Sequence, residues 1–300
     1  MSESADSAGS TGSAGISKEA IGRYGVWSIG LRSDDPARRG EISEAAAELE
    51  ELGYGTAWLG GSSAPRNALP LLESTSRLIA ATSITSIWQH NAEASAGGYF
   101  EVEAAHPGRF LLGLGMSHAK LAEQYRRPLS ALVAYLYALD GAGVPAGRRV
   151  LAALGPKALA LSADRSLGAI PYLTTPEHTA QARALLGAAP LLAPELGVVL
   201  ETDPARARAL AREHLAFYLS LPNYTNNFLR LGFTEEDLRD GGSDRLIDAL
   251  YAWGDDDRVR DHVDAFLQAG ADHVALQVID DGAPDDLPRE AWRKLAHLLG

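Results

Sequence analysis

The chain has 300 residues, no cysteine and a formal charge of −12. The missing cysteines exclude disulfides, thiolate zinc sites and cysteine nucleophiles, and the acidity argues against a nucleic-acid partner, whose phosphates are held by clustered Lys and Arg. No segment offers about 18 uninterrupted apolar residues, so no membrane role is expected and the chain reads as cytoplasmic.

The first residues, MSESADSAGSTGSAGISKEA, are small and polar and lack the basic start and apolar run of a signal peptide. They cannot bury enough apolar surface to offset chain entropy, so residues 1–20 are expected to form a disordered tail ahead of one domain over 21–300. Strand-like runs then follow at 24–29 (YGVWSI), 56–59 (TAWL), 78–88 (LIAATSITSIW) and 109–115 (RFLLGLG). Four more lie at 149–154 (RVLAAL), 169–173 (AIPYL), 196–201 (LGVVLE) and 273–278 (HVALQV). They are short apolar runs without strict alternation, as parallel strands covered by helices should be. Amphipathic stretches lie between them. In EISEAAAELEELG (41–53), Ile42, Ala45, Leu49 and Leu52 share a side and Gly53 is the stop. In DPARARALAREHLAFYL (203–219), Asp203 is the expected N-cap with Pro204 at the first helical position. Eight strand–helix repeats predict a (β/α)8 TIM barrel, with an open α/β sheet as the alternative, and barrels of about 250 residues form one domain. Extra helical pieces over 221–254 predict a helical insertion over one rim before the last strand, and LPREAWRKLAHLL is the final helix.

Barrel active sites lie at the C-terminal strand ends, which turns the strand list into candidates. The third strand ends in Thr82-Ser83-Ile84-Thr85-Ser86-Ile87-Trp88, with hydroxyls and an indole for a pocket wall. An ordinary Thr- and Ser-rich strand has the same pattern. The fourth ends in GLGMSH (113–118), where Gly113 and Gly115 allow close approach of a flat ligand and His118 stands at the rim. After the fifth strand, Leu154-Gly155-Pro156-Lys157 starts a helix whose N-terminus could hold an anion or simply be capped. Thr174-Thr175-Pro176-Glu177 is a second cap-like turn on that rim. Phosphate-loop, HExxH and nucleophile-elbow motifs are absent, and no metal site is expected. Asn223-Tyr224-Thr225 fits a glycosylation triplet but has no role in a cytoplasmic chain.

Taken in order, the GVW strand, the TSI strand, HPGRFLLGLGMSH (106–118), the GPK turn and the TT turn resemble the luciferase-like flavin- or F420-dependent oxidoreductases over about residues 24–300. The resemblance implies a barrel that binds coenzyme F420, or alternatively FMN, at the strand C-termini, acts on a small organic molecule and forms a homodimer. It also implies a bulge with a cis peptide at Ser83-Ile84 backing the ring, with Thr82, Ser86 and Gly115 beside it. The turns at Leu154-Gly155-Pro156-Lys157 and Thr174-Thr175 would hold the phosphate, Trp27 and Trp88 the substrate, and His118 would transfer the proton. Several relatives carry an Asp-His pair at the end of the second strand, where this chain has Gly61 and Ser62. That departure leaves three readings: His118 takes over, the reaction needs no strong acid, or catalysis has been lost and a ligand-binding barrel remains. An FMN-dependent monooxygenase is the nearest rival activity. The acidic coenzyme also requires a local positive rim, for which Lys157, Arg165 and Arg183 are the candidates.

Overall fold

The computed structural model describes residues 15–117 and 127–300. Its parallel strands are β1 (Tyr24–Ser28), β2 (Thr56–Gly60), β3 (Ile79–Ser83), β4 (Thr85–Ser86), β5 (Phe110–Gly115), β6 (Arg149–Leu151), β7 (Gly168–Ala169), β8 (Leu191–Leu192), β9 (Glu195–Val199), β10 (Tyr251–Trp253) and β11 (Val274–Val278). β8 and β9 are halves of one strand, parted at Ala193-Pro194 because a proline cannot donate to the ladder. This strand closes the barrel. On one side Leu191 and Glu195 donate from their backbone N–H to Leu167 and Pro171, beside β7, and on the other side it pairs with β11, which pairs with β1. The ring therefore contains eight staves, counting β3 with β4 and β8 with β9.

The register fixes which side chains point inward. Followed rung by rung from Ser83 through Gly60, the pairing extends around β1 and β11 to Val199. Followed the other way through Gly113, Val150 and Gly168, it arrives at Leu191, giving the stagger of eight residues typical of this barrel. Midway between these endpoints lies Glu195, which sets it directly across the barrel from Ser83. The same count places Trp27 and Ala152 in that layer, four inward residues from alternate staves. Beneath it, Trp58 donates from Nε1 to His273 Nε2 at 3.0 Å, so His273 is protonated on Nδ1, which donates to the Gly22 carbonyl at 2.8 Å. Space for this pair comes from Gly25, where a Cβ would lie 2.7 Å from the His273 ring.

The bottom is plugged earlier in the chain than composition suggests. Ile16 and Ile21 are buried in the barrel's interior cluster, α1 (Lys18–Ile21) is capped by Ser17, and Lys18 bonds Asp272 at 2.9 Å. The helices match their sequence signals. α2 (Arg39–Glu51) ends before Gly53 at φ +88°, and Asp203 caps α8 (Pro204–Tyr218) by accepting from Arg206 N–H. α3 (Leu69–Glu73), α4 (Ala92–Ala105), α5 (Pro128–Gly141), α6 (Pro156–Arg165) and α7 (Pro176–Leu186) follow their strands. The rim insertion holds α9 (Pro222–Arg230), α10 (Asp244–Leu250) and the unanticipated β10, which pairs with β9. Its Phe228, Leu246, Ile247, Tyr251 and Trp253 form an apolar cluster of their own with Leu215 of α8. α11 (Asp256–Gln268) and α12 (Arg289–Leu299) complete the shell, and no helix among the described residues is long and apolar enough to cross a membrane.

Two outcomes are expected. A Cβ at Gly168 would lie 1.9 Å from the Leu191 carbonyl oxygen, whereas Gly97, inside α4, has nothing within 4 Å. In denaturant titrations Gly168→Ala should therefore lose about 1–3 kcal/mol, and Gly97→Ala should gain about 1 kcal/mol. The second outcome concerns acid. Burial lowers His214, His262 and His273 from 6.5 to about 4. The unfolded chain takes up these protons near pH 6.5 and the native protein resists them until about 4, so stability should fall as pH drops through that window. Denaturant midpoints measured across it should decline, and less steeply in His273→Gln.

Candidate functional site

The third stave breaks at its upper end. Ala81 pairs with Leu111 but Thr85 pairs with Leu114, so one residue is extra between them: a bulge, and the Ser83-Ile84 peptide within it is cis. Its surroundings hold this ledge from three sides. Ile84 N–H donates to Gly61 O at 2.8 Å, and Ile84 O accepts from Ser63 N–H at 2.9 Å. Trp27 Nε1 donates to Ser83 O at 3.2 Å. Below, buried Thr82 uses its hydroxyl both to accept from Gly113 N–H and to donate to Gly113 O, each at 2.9 Å. Gly61 has φ +72°, a conformation other residues resist, and Arg32 bridges to the next carbonyl, Ser62 O, at 2.6 Å.

Above the ledge opens a cavity of about 580 Å³ in the barrel mouth. Trp27, Ser83, Ala152 and Glu195, the four residues of the uppermost complete layer, all line it. Gly61, Ile84, Ser86, Leu154 and Gly155 line it too, so seven of the fifteen predicted site residues converge. Gly115 borders it indirectly: a Cβ there would strike Ile84 Cδ1 at 2.3 Å. At one end Gly155 caps α6 without a side chain, and a Cβ on it would face Arg230 Nη2 at 3.9 Å. Arg230, on α9, also lines the cavity and bonds Asn227 Oδ1 at 3.0 Å. The turn is propped from behind by buried His178, whose Nε2 donates to Leu154 O at 2.9 Å while burial keeps the ring below its ordinary pKa.

Other predicted residues stand elsewhere. Trp88 packs against the outer core and donates from Nε1 to Met116 O, so it supports the cavity wall rather than forming it. Pro156 and Lys157 are exposed on the outer side of the α6 start. Thr174 and Thr175 are buried, Thr175 as the N-cap of α7, and neither lines the cavity. His118 lies outside the described residues. The expected positive rim is made differently: Arg165 pairs with Asp140 at 2.5 Å and Arg183 with Asp272 at 2.6 Å, leaving Arg32 and Arg230 as the lining arginines.

Sequence reading missed the opposite wall. Tyr172 stacks on Trp27 with centroids 6.3 Å apart, and Tyr218 and Tyr224 meet Tyr172 edge-on at 5.2 and 6.0 Å. The Tyr172 hydroxyl bonds His214 Nε2 at 3.0 Å and Gln277 Oε1 at 3.1 Å, and His214 Nδ1 bonds the Tyr251 hydroxyl at 2.8 Å. Glu195 sits against these rings with its carboxyl buried, and burial pushes its pKa well above the carboxylate range. No motif announces this wall, because its members come from the segment after β7 and from α8, α9, β9, β10 and β11.

No protein-family model and no curated protein matches the chain. Solved structures do. An F420-dependent secondary alcohol dehydrogenase with an F420-acetone adduct superposes with TM-score 0.68 at 12% identity, covering 93% of this chain and 99% of that one. The coenzyme F420-dependent tetrahydromethanopterin reductase of Methanopyrus kandleri gives 0.68 at 16%, covering 92% and 98%. The FMN-bound oxygenating constituent of 3,6-diketocamphane monooxygenase from Pseudomonas putida gives 0.66 at 12%, covering 92% and 96%. At these identities the likeness is one of fold, and it is the fold the sequence resemblance implies.

Removing the Thr82 hydroxyl tests how the ledge is held. Thr82→Val keeps the shape but unpairs the bonds to Gly113, so it should cost about 1–3 kcal/mol in denaturant titrations.

Proposed function

We propose that the chain is an oxidoreductase that binds coenzyme F420 in the barrel mouth and transfers a hydride between it and a small organic substrate. One observation carries this: the bulged ledge at Ser83-Ile84 and an α6 N-terminus with no side-chain cap, faced by an arginine, line the same cavity. A flavin-type ring needs a flat backing and its phosphate needs donors, and both lie within about 580 Å³. Gly61, Ser83 and Ile84 would back the ring, and the start of α6 with Arg230 would hold the phosphate. When bound, the coenzyme supplies the hydride chemistry, and the chain supplies position and a water-poor pocket. Trp27 and Tyr172, stacked across the mouth, would orient the substrate against the ring. The turn at Thr174-Thr175 acts through its place behind Leu154, by way of His178. His118, outside the described residues, is proposed to take part in proton exchange. A homodimer also belongs to this reading, and Phe100 and Tyr137, exposed on α4 and α5, are apolar surface available to it.

An FMN-dependent monooxygenase is the second reading, supported by the FMN-bound structure of similar fold. Separate titrations with F420 and FMN, followed by coenzyme fluorescence, divide the two. F420 should bind tightly; tight binding of FMN alone would move the assignment to the monooxygenase, and binding of neither would sink both. Gly155→Asp places a carboxylate where the phosphate should sit, while leaving a well-capped helix. It should weaken F420 by at least about tenfold with an unchanged or raised melting temperature. Arg230→Gln should weaken F420 by about tenfold, as loss of one charge-assisted hydrogen bond does.

A further inference from the structure

We propose that Glu195, held as a neutral carboxylic acid, is the group that hydrogen-bonds and protonates a substrate carbonyl oxygen, which makes the substrate an uncharged ketone or aldehyde. The inference rests on the hydride-transfer reading for its chemical step, though the placement of the carboxyl does not. Three observations carry it.

The first is position. The barrel register sets Glu195 across the mouth from Ser83, so a substrate lying between a ring on the Ser83-Ile84 ledge and the opposite wall would meet this carboxyl. The second is its unfilled bonding. The residue is 7% exposed, it lines the cavity, and its Oε1 has no hydrogen-bond partner. A buried polar atom without a partner is costly, most of all on an ionised carboxylate, so this oxygen favours the protonated group, and the part of the side chain that lines the cavity is what a ligand would meet. The third is the company it keeps. Tyr172, Tyr218, Tyr224 and Tyr251 are ionisable groups close enough to feel its charge, and burial raises the pKa of all four, so they are uncharged hydroxyls near neutrality. No ion pair to Glu195 occurs among the described residues, and the lining arginines are engaged with Ser62 O and Asn227 Oδ1. A carboxyl in such surroundings keeps its proton, which makes it a donor.

The step balances as a two-electron reduction. A reduced deazaflavin, when bound, would supply the hydride that forms the new C–H bond at the carbonyl carbon and would be left oxidised. The C=O π pair moves onto oxygen, which takes the Glu195 proton to form O–H, and the carboxylate left behind is reprotonated from water. A carboxylate or phosphate substrate would meet no counter-charge among the tyrosines of this wall to offset its desolvation, and would be repelled once Glu195 ionises. This acid replaces the one missing at Gly61 and Ser62, from the other side of the mouth.

The test needs no natural substrate. Infrared difference spectra of the coenzyme-free protein against Glu195→Gln at pH 7 should show a carboxylic-acid C=O band, and cyclohexanone should shift that band. Calorimetry should then show cyclohexanone binding more weakly to Glu195→Leu, on the order of tenfold, and cyclohexanecarboxylate binding poorly to both proteins. Leucine removes an unpartnered polar group, so an equal or higher melting temperature confirms that the variant is folded. F420 binding by Glu195→Leu should match the parent, because the carboxyl faces substrate and not the coenzyme phosphate. A carboxylate band at pH 7, or cyclohexanone affinities equal in the parent and Glu195→Leu, would overturn the inference even if F420 binds. If no coenzyme binds but the acid band and the ketone preference hold, the hydride step falls and the carbonyl site stands.

Discussion

Everything in the mouth of this barrel depends on the stagger of its eight staves. An offset of eight residues around the ring places inward side chains in layers drawn from alternate strands, so four strands that never touch contribute to one floor. Trp27, Ser83, Ala152 and Glu195 are neighbours in space for this reason, although 168 positions of sequence separate the first from the last. The large members fit because the layers beside them are thinned. Gly60 leaves room for the Trp27 indole, whose ring atoms lie 2.7 Å from where a Cβ would be, and Gly25 does the same for His273.

Burial inside this frame decides protonation more than any charged neighbour does. His273 and His214 are kept neutral by desolvation, and each is fixed by hydrogen bonds at both ring nitrogens. The same cause pushes the Glu195 carboxyl up toward its protonated form. The two arginines at the cavity bond Ser62 O of the second-stave loop and Asn227 Oδ1 of α9. A chain with a net charge of −12 thus presents local positive charge where an acidic coenzyme would need it, and an uncharged wall where a substrate would lie.

Much of this was legible in the sequence where local signals and tertiary structure agree. Short apolar runs match five of the eight staves closely and overrun β6 and β7 by three and four residues, and the Gly53 stop and Asp203 cap behaved as their chemistry requires. The seventh stave begins at Leu191 rather than at residue 196, because Pro190 and Pro194 disguise its first half as loop. β10 was hidden inside helical periodicity, since three residues carry too little pattern to read. Lys157, Arg165 and Arg183 had the right charge, but ion pairing and outward exposure are properties of the folded surface. Arg230 was passed over because nothing in α9 marks which side chain turns back toward Gly155. Trp88 stood at a strand end as expected, yet the bulge that creates the ledge also turns this indole behind Met116.

The carboxyl at Glu195 has a consequence for how the barrel assembles. Along its strand the neighbouring Leu196 and Val198 face outward into the apolar seam beneath the helices. A slip of one residue would exchange these faces, driving the carboxyl in among leucine, valine and phenylalanine and leaving a leucine at the mouth. Every other rung of this strand is apolar or glycine, so no other polar side chain on it opposes the exchange. A group that costs stability in the native barrel costs more in its nearest misaligned competitor, and so helps the last staves choose the alignment that closes the ring.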